Sequence, residues 1–379
     1  MRVLGLTIEG AFSGADAAIF TGLRTRGYLT GVVDSALPPM TRLRFLLRTV
    51  RPNRRAWGQA WRSAMIKSPG AFRARSARND QILRSRLTSY DIVLQVGGLF
   101  APFTGTPPRP VALFCDYTTK LAERNYMPWF GLQPSDAVDW YAMEARLYRQ
   151  AGVIFTASEN TRNSLINDYD VTSDHVRVVR EGVRDVPDCS GKTYGAHRIV
   201  FVGIDFDRKG GPWLLHAFRK VRAEIPDSEL HIVGASQGPP QEGVVWHGHV
   251  SDRGRMDTIL AGATVLTLPS VCEPFGLALI EGMAHRIPVV GTRVDAMAEI
   301  IDDGVTGYLV PPRDADALAD RLMELLRSPE LCAQLGGRGQ DVVRERFLWT
   351  HVIDAVIRGL DDLAVDSGLE IGSDMRHSK

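Results

Sequence analysis

Residues 268–299 read LPSVCEPFGLALIEGMAHRIPVVGTRVDAMAE, and this stretch restricts the fold more than any other. Ala263 to Leu268 is a short apolar run that reads as a buried parallel strand, and Pro288, Val289 and Val290 form the next strand. Phe275 to Ala284, between them, is helix-compatible. Pro269 and Ser270 end the first strand. Pro274 sits where the helix would begin, since proline has no N–H to lose at the first helical position. Two carboxylates, Glu273 and Glu281, therefore bracket the start of one helix at the carboxyl end of a strand.

The first N–H groups of a helix have no internal partner and carry the positive end of the dipole, so they favour an anion. Gly276 lets the backbone come close to it. Glu281 lies about two turns in, which puts the carboxylates on the order of 10 Å apart. That span suits a ligand with a diphosphate in the middle and a hydroxyl-bearing sugar at each end. Carboxylates accept hydrogen bonds from sugar hydroxyls and repel phosphates. Glu281 alone would read as a solvated acid on a capped surface helix. The whole string, Glu273-Pro274-Phe275-Gly276-Leu277 with Glu281 and then Pro-Val-Val, does not.

At these residues the chain resembles the donor-binding signature of glycosyltransferase family 4, the retaining, nucleotide-sugar-dependent enzymes of GT-B architecture. The motif is two glutamates with seven residues between, the first followed by Pro-Phe-Gly. Glu299-Ile300-Ile301, Gly304, Gly307 and Leu309-Val310 match its continuation. The resemblance implies that Glu273 contacts the transferred sugar, Glu281 holds the ribose, and the amides of Phe275, Gly276 and Leu277 hold the diphosphate. Two departures are Arg286, where a glycine usually closes the helix, and Asp295-Ala296, where paired small residues are commoner. Neither is expected to touch the acidic pair.

A chain of 379 residues is long enough for two ordinary domains, and a net charge of +1 with 44% hydrophobic residues is a globular profile. No signal peptide is visible and no apolar run reaches the roughly 20 residues of a membrane span. Cys115, Cys189, Cys272 and Cys332 are scattered without metal-type spacing and read as reduced thiols of a cytoplasmic protein.

The opening, a strand at Val3 to Ile8, a turn and a helix from Ala15 to Arg26, is that of a doubly wound sheet without a dinucleotide fingerprint. By resemblance, Gly10, Ser13 and Gly14 approach the donor phosphates from the opposite domain; a turn that simply needs glycine is the alternative. Residues 42–86 are the compositional outlier. Basic residues from Arg42 to Arg86, with Arg48, Arg51, Arg54, Arg55 and Arg62 among them, face one acid, Asp80, and aromatic and aliphatic residues are interleaved. Such helices suit an anionic membrane surface or an anionic acceptor. No nucleic-acid recognition module is visible. A solvated arginine face whose stems cover apolar surface is the plain alternative.

Further strands are expected at Asp91 to Val96 and Val111 to Phe114, the second ending in Cys115-Asp116-Tyr117. Loops after strand ends line the ligand crevice of such sheets. Many members of the family carry a histidine near this point. Here Asp116 is the nearest polar candidate for a catalytic role, or it caps the following turn. In the second half, Arg198 to Val202 is followed by Gly203-Ile204-Asp205-Phe206-Asp207-Arg208-Lys209-Gly210-Gly211 and a helix. A lysine in a glycine-bearing loop before a helix is a diphosphate clamp. By resemblance, Gly203 and Lys209 match; Ile204 stands where an arginine is usual, leaving Arg208 to supply that contact. Asp205 and Asp207 spell a metal-like pattern, but no obligatory metal or other cofactor is expected.

The expected architecture is α/β: two Rossmann-like domains facing a central cleft in a GT-B arrangement. Residues 1–184 form the acceptor side and 185–343 the nucleotide-sugar side. A helix over 344–365 crosses back to the first domain, and 366–379 is a disordered tail. The expected activity is retaining transfer of a hexose from a UDP- or GDP-sugar to a glycan, lipid-linked or small-molecule acceptor. Glu273, Asp116 and Lys209 are the catalytic candidates, and the protein would be cytoplasmic or peripheral at the inner membrane face. The competing readings are a sugar-nucleotide epimerase or hydrolase on the same fold, and a non-catalytic partner acting through the basic segment.

Overall fold

The computed structural model describes residues 1–8, 14–235, 237–238 and 240–369; Gly10, Ser13, the Arg55 side chain and the tail from residue 370 lie outside the described set. The chain divides into two units, Met1–Val179 with the chain from Ile353 on, and Arg180–Val352.

The first unit has six strands: β1 (Val3–Thr7), β2 (Leu29–Asp34), β3 (Ile92–Val96), β4 (Val111–Cys115), β5 (Val153–Thr156) and β6 (Val176–Val178). They pair in parallel in the order β2-β1-β3-β4-β5-β6. β1, β3, β4 and β5 are buried along their whole length, which is why they read as unbroken apolar runs. The second unit has β7 (Arg198–Val202), β8 (Glu229–Val233), β9 (Val244–Gly248), β10 (Val265–Leu268), β11 (Val289–Thr292) and β12 (Gly307–Val310). These too are parallel, in the order β12-β11-β10-β7-β8-β9. Counted within the unit this is the 3-2-1-4-5-6 winding of a dinucleotide-binding sheet, whose order reverses between β7 and β10. The loops that leave those two strands therefore open a crevice between them.

Three expectations need correction. The helix after β10 begins at Leu277, not at Pro274, and Gly276 is its cap with φ 108°. That left-handed backbone is open to glycine and strained for other residues, so the turn is set by Gly276 and Pro274 only leads into it. The helix expected from Arg344 is two helices, Pro329–Arg346 and Trp349–Asp366. The break falls at Phe347-Leu348 because Val183 donates to the Phe347 carbonyl (2.8 Å) and accepts from the Trp349 N–H (3.0 Å). Asp366, expected in the tail, is the last residue of that helix. Ile353 and Leu363 of it lie against Gly22 of the helix Ala15–Thr25 and Gly152 just before β5.

Candidate active site

The crevice of the second unit brings together three of the sequence-derived residues, Arg208, Lys209 and Glu273. The loop after β7 carries Arg208 and Lys209; the loop after β10 carries Ser270 and Glu273. The two loops touch so closely that a Cβ on Gly210 would lie 1.8 Å from the Pro269 carbonyl oxygen. The Lys209 ammonium donates to Glu273 Oε2 at 2.8 Å, and the Ser270 hydroxyl donates to the same oxygen at 3.1 Å. Arg208 is buried and reaches under the second loop, donating to the Cys272 carbonyl at 2.7 Å, with its other ion-pair partner Asp205. It lies 3.8 Å from Glu273 Oε2. The Glu273 N–H donates to Asp295 Oδ2 at 2.8 Å, so Asp295, expected to stay clear of the acidic pair, holds the backbone of one of its members. Asp295 has a positive φ of 46°, which turns the carboxylate back toward the β10 loop. Ile204, at the place expected for an arginine, is exposed.

Glu273 is thus a buried carboxylate with its orientation fixed by a lysine, a serine and its own backbone anchor. Phe275 turns its ring into the core against Phe347 (6.2 Å between centroids), so only its backbone is available to a ligand. Glu281, one turn into the helix Leu277–Ala284, is half-buried, and its carboxyl accepts no hydrogen bond among the described residues. Burial pushes this carboxyl above its usual range, and the nearby Arg253 and His285 charges partly offset that. Arg253 and His285 each approach Asp257, at 3.3 and 3.4 Å. These three line a cavity of about 490 Å³ with Arg184 and Asp185.

In the first unit, Asp116 follows β4 and lines a separate cavity of about 280 Å³. It accepts the Tyr117 N–H at 3.0 Å, and burial pushes its carboxyl upward. The next helix is capped by Thr118, not by Asp116. Gly14 caps the helix Ala15–Thr25 with φ 93°.

Comparison with known proteins decides the family. The sequence model described as "Glycosyl transferases group 1" matches residues 196–328, the segment that holds both crevice loops. The chain is a glycosyltransferase, with the group 1 match lying over residues 196–328. Over 316 residues it is 28% identical to the MMP alpha-(1->4)-mannosyltransferase of Mycolicibacterium hassiacum, covering 76% of this chain and 74% of that protein. It is 32% identical over 194 residues to the phosphatidyl-myo-inositol mannosyltransferase of Mycobacterium leprae, covering 48% of this chain and only 51% of the relative. Among solved structures, HepE of Anabaena in complex with UDP and glucose superposes with a TM-score of 0.65 at 15% identity, covering 95% of this chain and 99% of that one. That likeness carries the fold, GT-B, and no more.

In this glycosyltransferase the basic run separates into two parts. Arg75 is buried and donates to the Met65 carbonyl, Arg78 to the carbonyls of Asp34 and Ala36, and Arg84 to Asp80. Arg75 and Arg78 fasten the helix Pro69–Arg84 to its unit, and Arg84 pairs within the helix. Arg48, Arg51, Arg54 and Arg62 lie on the exposed helices Pro39–Arg48 and Arg54–Ile66 and the turn between them. Among the described residues no group of histidine, cysteine and carboxylate side chains could hold a metal ion, and no helix is long and apolar enough to cross a membrane.

Proposed function

We propose that this glycosyltransferase moves a hexose from a nucleotide diphosphate sugar to a hydroxylated acceptor with retention of configuration. The observation that carries the reading is the Lys209–Glu273 pair at the mouth of the β7/β10 crevice, beside the Gly276-capped helix start. Lys209 faces the diphosphate there. The amides of Phe275, Gly276 and Leu277 lie at the positive end of the helix dipole, where fixed donors stabilise the charge that develops on the leaving group. Glu273 already accepts from Lys209 and Ser270, so it serves as an orienting acceptor for sugar hydroxyls rather than a free nucleophile. That favours front-face attack assisted by the leaving phosphate. Glu281 holds the ribose. Arg208 acts mainly by fixing the Cys272 carbonyl and hence the Glu273 loop. Asp116 belongs to the acceptor side.

The same reading places the enzyme in the cytoplasm, against an anionic membrane surface. The described cysteines are free thiols, and Met40, Leu43, Leu47 and Val50 are 71%, 45%, 65% and 56% exposed beside exposed arginines. Thermal stability with UDP, GDP and ADP tests the donor assignment. Binding to the native state alone raises stability by roughly 2.7 kcal/mol at a hundredfold excess over Kd. One nucleotide is expected to shift the wild type and to shift Lys209→Ala much less. No shift with any of them, in a folded sample, removes the donor assignment.

A further inference from the structure

Residues 270–273, in the loop that leaves β10, form neither helix nor strand, yet all are buried and their backbone is tied down from two sides. From the β7 loop, the Arg208 carbonyl accepts the Val271 N–H (2.9 Å) and the Arg208 guanidinium donates to the Cys272 carbonyl (2.7 Å). From the end of β11, the Thr292 hydroxyl donates to the Ser270 carbonyl (2.5 Å) and Asp295 Oδ2 accepts the Glu273 N–H (2.8 Å). Moving this loop would strand several buried polar groups at once, so it keeps one conformation. Of the four contacts, only that of Asp295 is made on Glu273 itself.

The chain after β11 turns sharply to make that contact. The Val294 N–H donates to the Thr292 carbonyl (2.9 Å) and the Met297 N–H to the Val294 carbonyl (3.1 Å). Asp295 stands at this turn with φ 46°, a left-handed backbone that aspartate and asparagine adopt more readily than other side-chain-bearing residues. The opposite end of Glu273 is held by Lys209 and Ser270, both on Oε2, at 2.8 and 3.1 Å. These holds respond differently to a bound donor. A diphosphate attracts the Lys209 ammonium and so competes with Glu273 for it. It has no such pull on the Asp295 contact, which joins a carboxylate to a backbone N–H.

We propose that Asp295 is a positioning residue for the donor sugar: by accepting the Glu273 N–H, it keeps the Glu273 carboxylate directed at the sugar while Lys209 turns to the diphosphate. The proposal rests on the donor reading above, in which Glu273 accepts from sugar hydroxyls. It assigns Asp295 to the part of donor affinity that comes from the sugar and leaves the nucleotide part to Lys209 and the helix start at Gly276. The working part of Asp295 is its acceptor oxygen at a positive φ, not its charge.

The test is calorimetric titration of the full-length protein with UDP, GDP, UDP-glucose and GDP-mannose. The quantity read is the affinity of a sugar nucleotide divided by that of its parent nucleotide, relative to the wild-type ratio. Asp295→Gly removes the acceptor and accommodates the positive φ without strain. It should lower the ratio by about fivefold or more, the weight of one hydrogen bond, and change the affinity for the free nucleotide by less than about twofold. Asp295→Asn keeps an acceptor oxygen and tolerates the same backbone, so it should hold the ratio within about twofold of wild type. In a Glu273→Ala background, Asp295→Gly should lower the ratio no further, because its effect runs through Glu273. An unchanged ratio in Asp295→Gly overturns the proposal. So does an equal loss of nucleotide and sugar nucleotide, which would make Asp295 a support of the fold alone, and so does a loss in Asp295→Asn as large as in Asp295→Gly. A wild type that binds none of the four probes fails the donor reading itself, a result seen before any variant is made.

Discussion

Lys209 reaches Glu273 by passing over Gly203, and a Cβ on Gly203 would lie 2.3 Å from Lys209 Cδ and 3.1 Å from the Phe201 ring. Gly203→Ala should therefore leave the sheet intact and push Lys209 out of line, because a flexible side chain yields before a buried aromatic ring does. A hydrogen bond to a charged group contributes roughly 1.5–3 kcal/mol, so nucleotide affinity should fall by about tenfold or more. Calorimetric titration of wild type and variant measures it, and unchanged affinity would show that Lys209 does not bear on the nucleotide. At this scale the sequence was informative where chemistry is carried by a motif. Glu273, Glu281 and Lys209 could be chosen from spacing and residue type. Asp295 could not, because its contact runs to a backbone N–H 22 positions away and depends on one positive φ. Ser270 looked like a strand terminator, yet it donates to the same oxygen as Lys209. Phe275 belonged to the motif, but its ring serves the core.

The same limit holds for whole elements. The fully buried strands were legible as apolar runs, whereas β2, exposed at alternate positions and interrupted by Gly31, gave no such run. The helix Pro329–Arg346 was hidden by Gly336, Gly337 and Gly339, which oppose helix formation in isolation. In the fold a Cβ at Gly336 would lie 2.0 Å from the Arg286 carbonyl oxygen, and Gly339 lies on Met283, so these glycines let two helices approach. A testable element-scale property sits on the edge strand β9 and its neighbour β8. His231 Nδ1 and His247 Nε2 are 2.9 Å apart, and His231 Nε2 is 3.1 Å from Glu229. Burial lowers the pKa of both histidines, and for His247 the facing His231, Arg255 and Arg198 charges lower it further. Both folded values lie below the usual 6.5, so the unfolded chain takes up more protons as pH falls through about that value. The stability these histidines contribute is complete above pH 6.5 and declines below it, by at most about 1.4 kcal/mol per pH unit for each. Thermal midpoints between pH 7.5 and 5.5 should drop, and His247→Gln should flatten the drop. An identical pH dependence in the variant would assign it elsewhere.

For the molecule as a whole, the question is what a nearly neutral chain does with a strongly basic stretch. The structure divides that stretch by use. The arginines of the helix Pro69–Arg84 bind carbonyls and acids of their own unit, so composition overstated the surface charge available to a partner. The helix Pro39–Arg48 has no buried residue, although Trp57 donates to the Leu46 carbonyl and the Phe45 ring lies near Gly70. At about 100° per residue, Met40, Leu43 and Leu47 fall within about 60° of one another, with Arg44 and Arg48 along one border. An apolar stripe edged by arginine suits the interface of an anionic bilayer, where each nearby arginine contributes about 1 kcal/mol. Co-sedimentation with phosphatidylglycerol vesicles should therefore exceed that with phosphatidylcholine. It should weaken as salt rises from 0.1 to 1 M, which shortens screening from about 10 to about 3 Å. Arg44→Glu with Arg48→Glu should lower vesicle affinity at least tenfold. Leu43→Ser with Leu47→Ser should lower it while leaving the salt dependence in place, because the apolar and electrostatic contributions are separate. Arg321→Gln, a charge removed in the second unit, should change nothing. Equal binding to neutral vesicles, or no effect of the paired arginine changes, would return this helix to a solvated face and leave the acceptor to arrive from solution.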